Sequence, residues 1–129
     1  MAQNNHQIRV VIDGLVNTSE TVVKKLTLDV TANLIETNPV DTGWSKANWV
    51  PSIGVPLINA SISSTGNIST AVATQSQGIA NIATQYTLDQ GDVFMTNNVP
   101  YVPNLNDGHS NQAPAGFIQR AILKAVIEL

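Results

Sequence analysis

Four apolar residues, Val22, Leu26, Val30 and Leu34, recur at steps of four ahead of Pro39. On a helix of 3.6 residues per turn this spacing puts them on one side, and Val23 and Ile35 widen the stripe. The pattern predicts a helix from Asn17 to about Asn38. Pro39 stops it, because the residue before a proline is pushed out of helical geometry. Asn17 is expected to cap its start, with Glu20 three residues on in a capping-box arrangement. The segment is rich in Thr, which lowers helix propensity, so its stability must come from burying the stripe. A long one-sided helix needs a layer to cover it, and that requirement shapes the rest of the fold.

The remaining segments are expected to supply that layer. Ahead of the helix, "QIRVVIDG" alternates Ile8, Val10 and Ile12 and reads as a short strand or extended lead-in. "PVDTGWSKANWVPSIGVP" runs from a turn into extended chain, where Pro51 and Pro56 allow an edge strand but not a central one. "NASISSTGNIST" alternates Ile58, Ile62 and Ile68 around a Ser/Gly turn at Ser63 to Asn67. Val72, Ile79, Ile82, Ala83 and Tyr86 mark a second helix between Thr70 and Tyr86, weakened by Gly78. "GDVFMTNN" reads as a strand with Val93 and Met95 on one face and Phe94 on the other. Pro114 opens a last helix whose apolar side carries Ile118, Ile122, Ala125 and Leu129, with Ala121 beside them.

The expected class is α+β: a small, mostly antiparallel sheet packed against a long N-terminal helix, a central helix and a C-terminal helix. At 129 residues, with no internal repeat and no dividing linker, residues 1–129 read as a single domain with a modest core.

Charge is scarce. Six Lys and Arg against nine Asp and Glu give a net charge of −3, and no basic run offers a grip on nucleic-acid phosphates. The absence of Cys excludes disulfides, thiolate zinc sites and cysteine nucleophiles. The start, "MAQNNHQIRVVIDG", lacks the apolar core of a signal peptide, and no stretch reaches membrane-spanning length, so a soluble protein made in a cytoplasm is expected. The sequons at Asn17, Asn59 and Asn67 then read as chance matches in a chain rich in Asn, Ser and Thr. Those neutral polar residues stand where charges usually do, giving a surface suited to being covered by partners.

Two short motifs invite a catalytic reading. "DTG" at Asp41, Thr42 and Gly43 matches the triplet of homodimeric aspartic proteases, in which two copies bring two carboxylates together around one proton. That chemistry wants the triplet directly after an apolar strand with a small residue following, whereas here a helix and Pro39 precede it and Trp44 follows. A turn in which Asp41 accepts backbone hydrogen bonds and Gly43 relaxes the bend fits the context better. "NDGHS" places Asp107, His109 and Ser110 together, but adjacency is not triad geometry and no further metal ligand lies near. No catalytic residue, cofactor site or metal site is assigned.

Trp44 and Trp49, five apart in expected extended chain, point to opposite faces unless a bend buries both; one is then free to anchor an interface. Tyr101, between Pro100 and Pro103, either plugs the core or projects toward a partner. Trp44 and Trp49, together with the Asn-rich loops, also fit a sugar-binding surface domain.

"TNNVPYVPNLNDGHSNQAPAGF", residues 96 to 117, gathers five Asn, three Pro and two Gly in 22 positions ahead of the last helix. With "NPVDTGWSKANW" about fifty residues before it, this stretch resembles the head–tail joining, or tail-completion, proteins of long-tailed bacteriophages. The matching positions are Pro39, Val40, Asp41, Thr42, Gly43 and Trp49, then Asn97, Asn98, Pro100, Tyr101, Leu105, Gly108, His109, Ser110, Gln112, Ala113, Pro114 and Gly116. They cover about a quarter of the chain, in the family's order and spacing. The chain departs from the pattern at Trp44, where an Arg or a small polar residue is common, at Val102 and Pro103, and at Asn106, where an acidic residue is common.

The resemblance implies a non-enzymatic virion protein of the phage neck. Copies would form a ring, of six, between the tail terminator and the head-side connector, around double-stranded DNA that passes without sequence-specific binding and without any membrane. The tail terminator itself is the near alternative, and the aspartic protease a remote one. Within this reading Trp44, Trp49, Tyr101, Asn104, His109 and Ser110 are candidate contacts, while Asp41, Thr42, Gly43, Gly108 and Pro114 shape the turns.

Overall fold

The computed structural model describes residues 2–39, 43–58, 68–108 and 115–129. Among them the order is α1 (Ala2–Thr37), α2 (Trp44–Ala47), β1 (Val50–Ile53), α3 (Ser69–Gln85), a 3-10 turn (Leu88–Gln90), β2 (Val93–Thr96), α4 (Val102–Asn106) and α5 (Phe117–Ile127). β1 and β2 pair antiparallel, with Val50 opposite Thr96 and Ile53 opposite Val93. The class is α+β, as expected, with helices packed on this small sheet.

α1 is far longer than the sequence pattern indicated. It spans 36 residues, about 54 Å at 1.5 Å per residue. The segment "QIRVVIDG" is therefore helix rather than strand, since Ile8, Ile12 and Leu15 follow helical spacing as readily as Ile8, Val10 and Ile12 follow alternation. Asn17 lies mid-helix, where its carbonyl accepts from Thr21 Oγ1, and Glu20 instead accepts the Leu88 N–H of the 3-10 turn at 2.8 Å. The Thr residues are accommodated in the same way. Thr18, Thr27, Thr31 and Thr37 each donate to the carbonyl four residues back. The helix ends at Thr37, as Pro39 requires.

The core lies where the second half of α1 meets α5 and the sheet. Leu34, Trp49, Val99, Val102, Phe117 and Ala121 form one buried cluster. α5 runs antiparallel along α1: Asn33 Nδ2 donates to the Ala121 carbonyl at 3.1 Å, and Lys25 Nζ to the Glu128 carbonyl at 3.2 Å. On the far side of β1, α3 presents Ala71, Gln75, Gly78 and Ile82 inward. Of the face expected from the sequence, Ile82 and Tyr86 are buried and Ile79 half-buried, whereas Val72 and Ala83 are exposed. On α5 likewise Phe117, Ala121 and Ala125 are buried, while Ile122 and Leu129, expected on that side, face outward. Pro51 sits within β1, which a two-stranded sheet tolerates because each strand is an edge. Most of the predicted Ile58 to Ile68 alternation, with its turn at Ser63 to Asn67, lies outside the described residues.

Candidate functional site

The two segments that carry the family resemblance, some fifty residues apart, pack directly on each other. Gly43, at φ 81°, turns the chain into α2, a conformation that L side chains rarely adopt. α2 is a single helical turn where extended chain was expected, and it is the bend that brings Trp44 and Trp49 to the same side. Trp49 is 5% exposed and its Nε1 donates to Asn38 Oδ1 at 2.8 Å. It is a core side chain, which removes it from the candidate contact surface. Trp44 stays half-buried and meets the Tyr101 ring edge-on at 5.6 Å between centroids.

Polar side chains complete the joint. Asn38 Nδ2 donates to Ser45 Oγ at 2.7 Å and to the Pro39 carbonyl at 2.8 Å. Asn97 Nδ2 donates to the Ser45 carbonyl at 2.7 Å, while its Oδ1 accepts from Val99 N–H at 3.1 Å. Asn98 Nδ2 bonds the Leu57 carbonyl, and Gln75 Nε2 on α3 reaches the carbonyls of both Lys46 and Trp49. The Asn residues thus serve mostly as hydrogen-bond partners for the backbone of irregular chain.

Residues 102–106, expected as loop, form the short helix α4. Pro103 in its first turn is a start signal that the count of turn-forming residues obscured. Asn104 projects into solvent from α4, and Tyr101 precedes it, half-buried against Trp44. Gly108, at φ 94°, ends the segment. Asn106 then ties both ends of the following stretch: its carbonyl accepts Gly116 N–H at 2.7 Å and its Oδ1 accepts Ile118 N–H at 3.0 Å. This second bond satisfies a free donor at the start of α5. An Asp there would keep that acceptor and add charge favourable to a helix N-terminus. Asn106→Ala is therefore expected to cost about 1 kcal/mol in urea unfolding, and Asn106→Asp to be neutral or slightly stabilising. Equal losses for both would show that the side chain acts by volume alone.

Asp41, Thr42, His109, Ser110 and Pro114 lie outside the described residues, as do Val40, Gln112 and Ala113. Among the described residues no group of three or more His, Asp or Glu is placed to hold a metal ion, and no helix is long and apolar enough to cross a membrane. An open groove of about 810 Å³ between β1 and α3 is lined by apolar and amide or hydroxyl side chains such as Leu57, Thr74, Gln77, Asn81 and Gln85. Among the described residues that line it none is titratable.

Comparison with protein-family models, with curated proteins and with solved structures finds no match to this chain.

Proposed function

We propose that the chain is a structural subunit of the neck of a long-tailed phage, a tail-completion protein that joins the finished tail to the head as a ring around the DNA channel. One observation carries this reading. The two motif segments, separated in sequence, form one joint: Trp49 lies in the buried cluster against which Tyr101 and Leu105 pack, and Asn97 bonds the Ser45 carbonyl within the first segment. Their shared order and spacing thus have a physical counterpart: each supplies what shapes the other. Gly43 and Gly108, both motif positions, hold the left-handed turns that bound the joint.

A ring subunit acts by geometry. Contacts between one patch of a subunit and a different patch of the next close into a ring when the rotation allows it. The negative net charge fits a channel through which DNA must slide, since dense phosphate binding would hold the genome back.

Electron microscopy of lysates from the phage that encodes the chain, with its gene disrupted, tests the reading. Full heads lying beside normal-length, unattached tails are the expected result. Overlong tails would reassign the chain to the tail terminator, and intact infectious particles would overturn both readings.

A further inference from the structure

α1 is supported along only its second half. Among the described residues, its first side-chain hydrogen bond to another element is at Glu20, which accepts the Leu88 N–H. From there on Lys25 and Asn33 reach α5, and Thr31 and Leu34 are sealed in the interior. Ahead of Glu20 the helix runs on for about 27 Å with no such bond. Every side chain from Asn5 to Ser19 is exposed except half-buried Val16. Ile8, Val11 and Leu15 are between 58% and 64% exposed, and Val10 stands bare on the opposite side.

A helix without tertiary cover must hold itself, and this stretch is poorly equipped to do so. Between Asn4 and Ser19 only Gln7, Arg9 and Leu15 are strong helix formers. Ile8, Val10, Val11 and Ile12 lose side-chain freedom against the preceding turn, and Gly14 gives up more backbone freedom than any other residue type. No acidic side chain in the first turn complements the helix dipole. Arg9 and Asp13 stand four apart, yet no ion pair joins them. Thr18 Oγ1 donates to the Gly14 carbonyl at 2.9 Å, a back-bond that slightly weakens a helix rather than bracing it. Continuity with the anchored half spares this arm the cost of starting a helix, but each added residue then gains little.

We infer that the arm, residues 2–19, interchanges between helix and coil in the isolated chain, with the boundary at Glu20. The two forms are comparably populated, since the spared nucleation favours helix and the low-propensity residues favour coil. The rest of α1 opens only when the core does, because Leu34 packs with Phe117 and Ala121 and Asn33 bonds the Ala121 carbonyl. Covering the arm's apolar side chains shifts the balance to helix, so ordering of the arm and burial of its surface are one event. This balance is set within the chain and does not depend on a place in a phage neck.

Hydrogen exchange read by mass spectrometry, on the full-length protein diluted until sedimentation shows a monomer, tests this. Amides of residues 5–16 are expected to exchange within about tenfold of the rate of an unstructured peptide, and those of residues 22–36 at least about a thousandfold more slowly. Val10→Pro supplies an independent reading. A proline inside a helix on which the fold depends lowers the folding constant by about a hundredfold or more. In an arm already open much of the time, the same change should alter that constant by no more than about threefold in urea unfolding. Protection of residues 5–16 in the monomer matching that of residues 22–36 would overturn the inference, as would a loss of about a hundredfold in Val10→Pro. A rapidly exchanging arm in a protein whose gene disruption leaves phage particles intact would keep this transition while removing the neck reading.

Discussion

Exchanging Trp49 for Ala is expected to lower the unfolding free energy by about 3–5 kcal/mol, the range for emptying a large aromatic site in a packed core. Trp49 shares its buried cluster with Leu34, Val99, Val102 and Phe117, so its removal opens space within that core. The loss also strands Asn38, whose Oδ1 accepts from Trp49 Nε1 while its Nδ2 holds Ser45 and Pro39. Trp49→Phe separates the two contributions. It keeps most of the volume and leaves the Asn38 acceptor buried without its donor, a cost of about 1–3 kcal/mol. Since domains of this size are stable by about 5–15 kcal/mol, the alanine variant sits near the unfolding threshold. Urea unfolding followed by far-ultraviolet circular dichroism measures both, and a loss below about 1 kcal/mol for Trp49→Ala would show that the site collapses or that the side chain is not the keystone described.

Gly78→Ala is the second large expectation, and its sign runs against helix propensity. In the interior of α3, Ala is favoured over Gly by about 1 kcal/mol. At position 78, however, an added Cβ would lie 2.8 Å from the Pro51 carbonyl oxygen and 2.9 Å from Val50 Cγ1. One of these is strand backbone, which cannot swing aside as a flexible side chain can. The overpacking cost of about 1–3 kcal/mol therefore outweighs the propensity gain. Gly14→Ala in α1 provides the opposite case, since a Cβ there meets nothing within 4 Å and the helical gain stands alone. Destabilisation at 78 with stabilisation at 14, measured by thermal or urea unfolding, is the expected pair. Stabilisation at both would mean that α3 and β1 are not in close contact.

Gly78 also shows why part of the fold was not legible beforehand. From the sequence it reads as a flaw in a helix; in the structure it is a place where α3 packs against β1 with no room for a Cβ. The α3 face was misjudged for a related reason. A small residue and an amide, Ala71 and Gln75, are buried, whereas the more apolar Val72 is not. Gln75 is inside because the carbonyls of Lys46 and Trp49 there need a donor, a demand invisible to hydropathy. The start of α1 was missed because a short run of Ile and Val fits a strand and a helix equally until its neighbours decide. Once the long helix has nucleated downstream, extending it costs less than breaking it.

The candidate site divides along the same line. Gly43 and Gly108 were identifiable as turn positions because a positive φ selects glycine locally, whatever the tertiary context. Trp44, Tyr101 and Asn104 could be named as candidates, but their exposure could not, because it depends on α2 and α4 bending segments expected to be extended or looped. Trp49 left the contact surface for that reason alone.

By itself the sequence determined the α+β class, the stop of α1 at Pro39, the β2 strand, the last helix and the paired motifs with their glycine turns. All of these follow from rules spanning a few residues: periodicity, the steric demands of proline, and the freedom of glycine. Tertiary structure alone decided which apolar residues are covered, that Asn38, Trp49 and Ser45 form one network, and that half of the α1 stripe and the outer face of α5 are left bare. Burial is a property of what lies opposite a residue, and in this chain the opposing surfaces are set by contacts from residues up to 103 positions away.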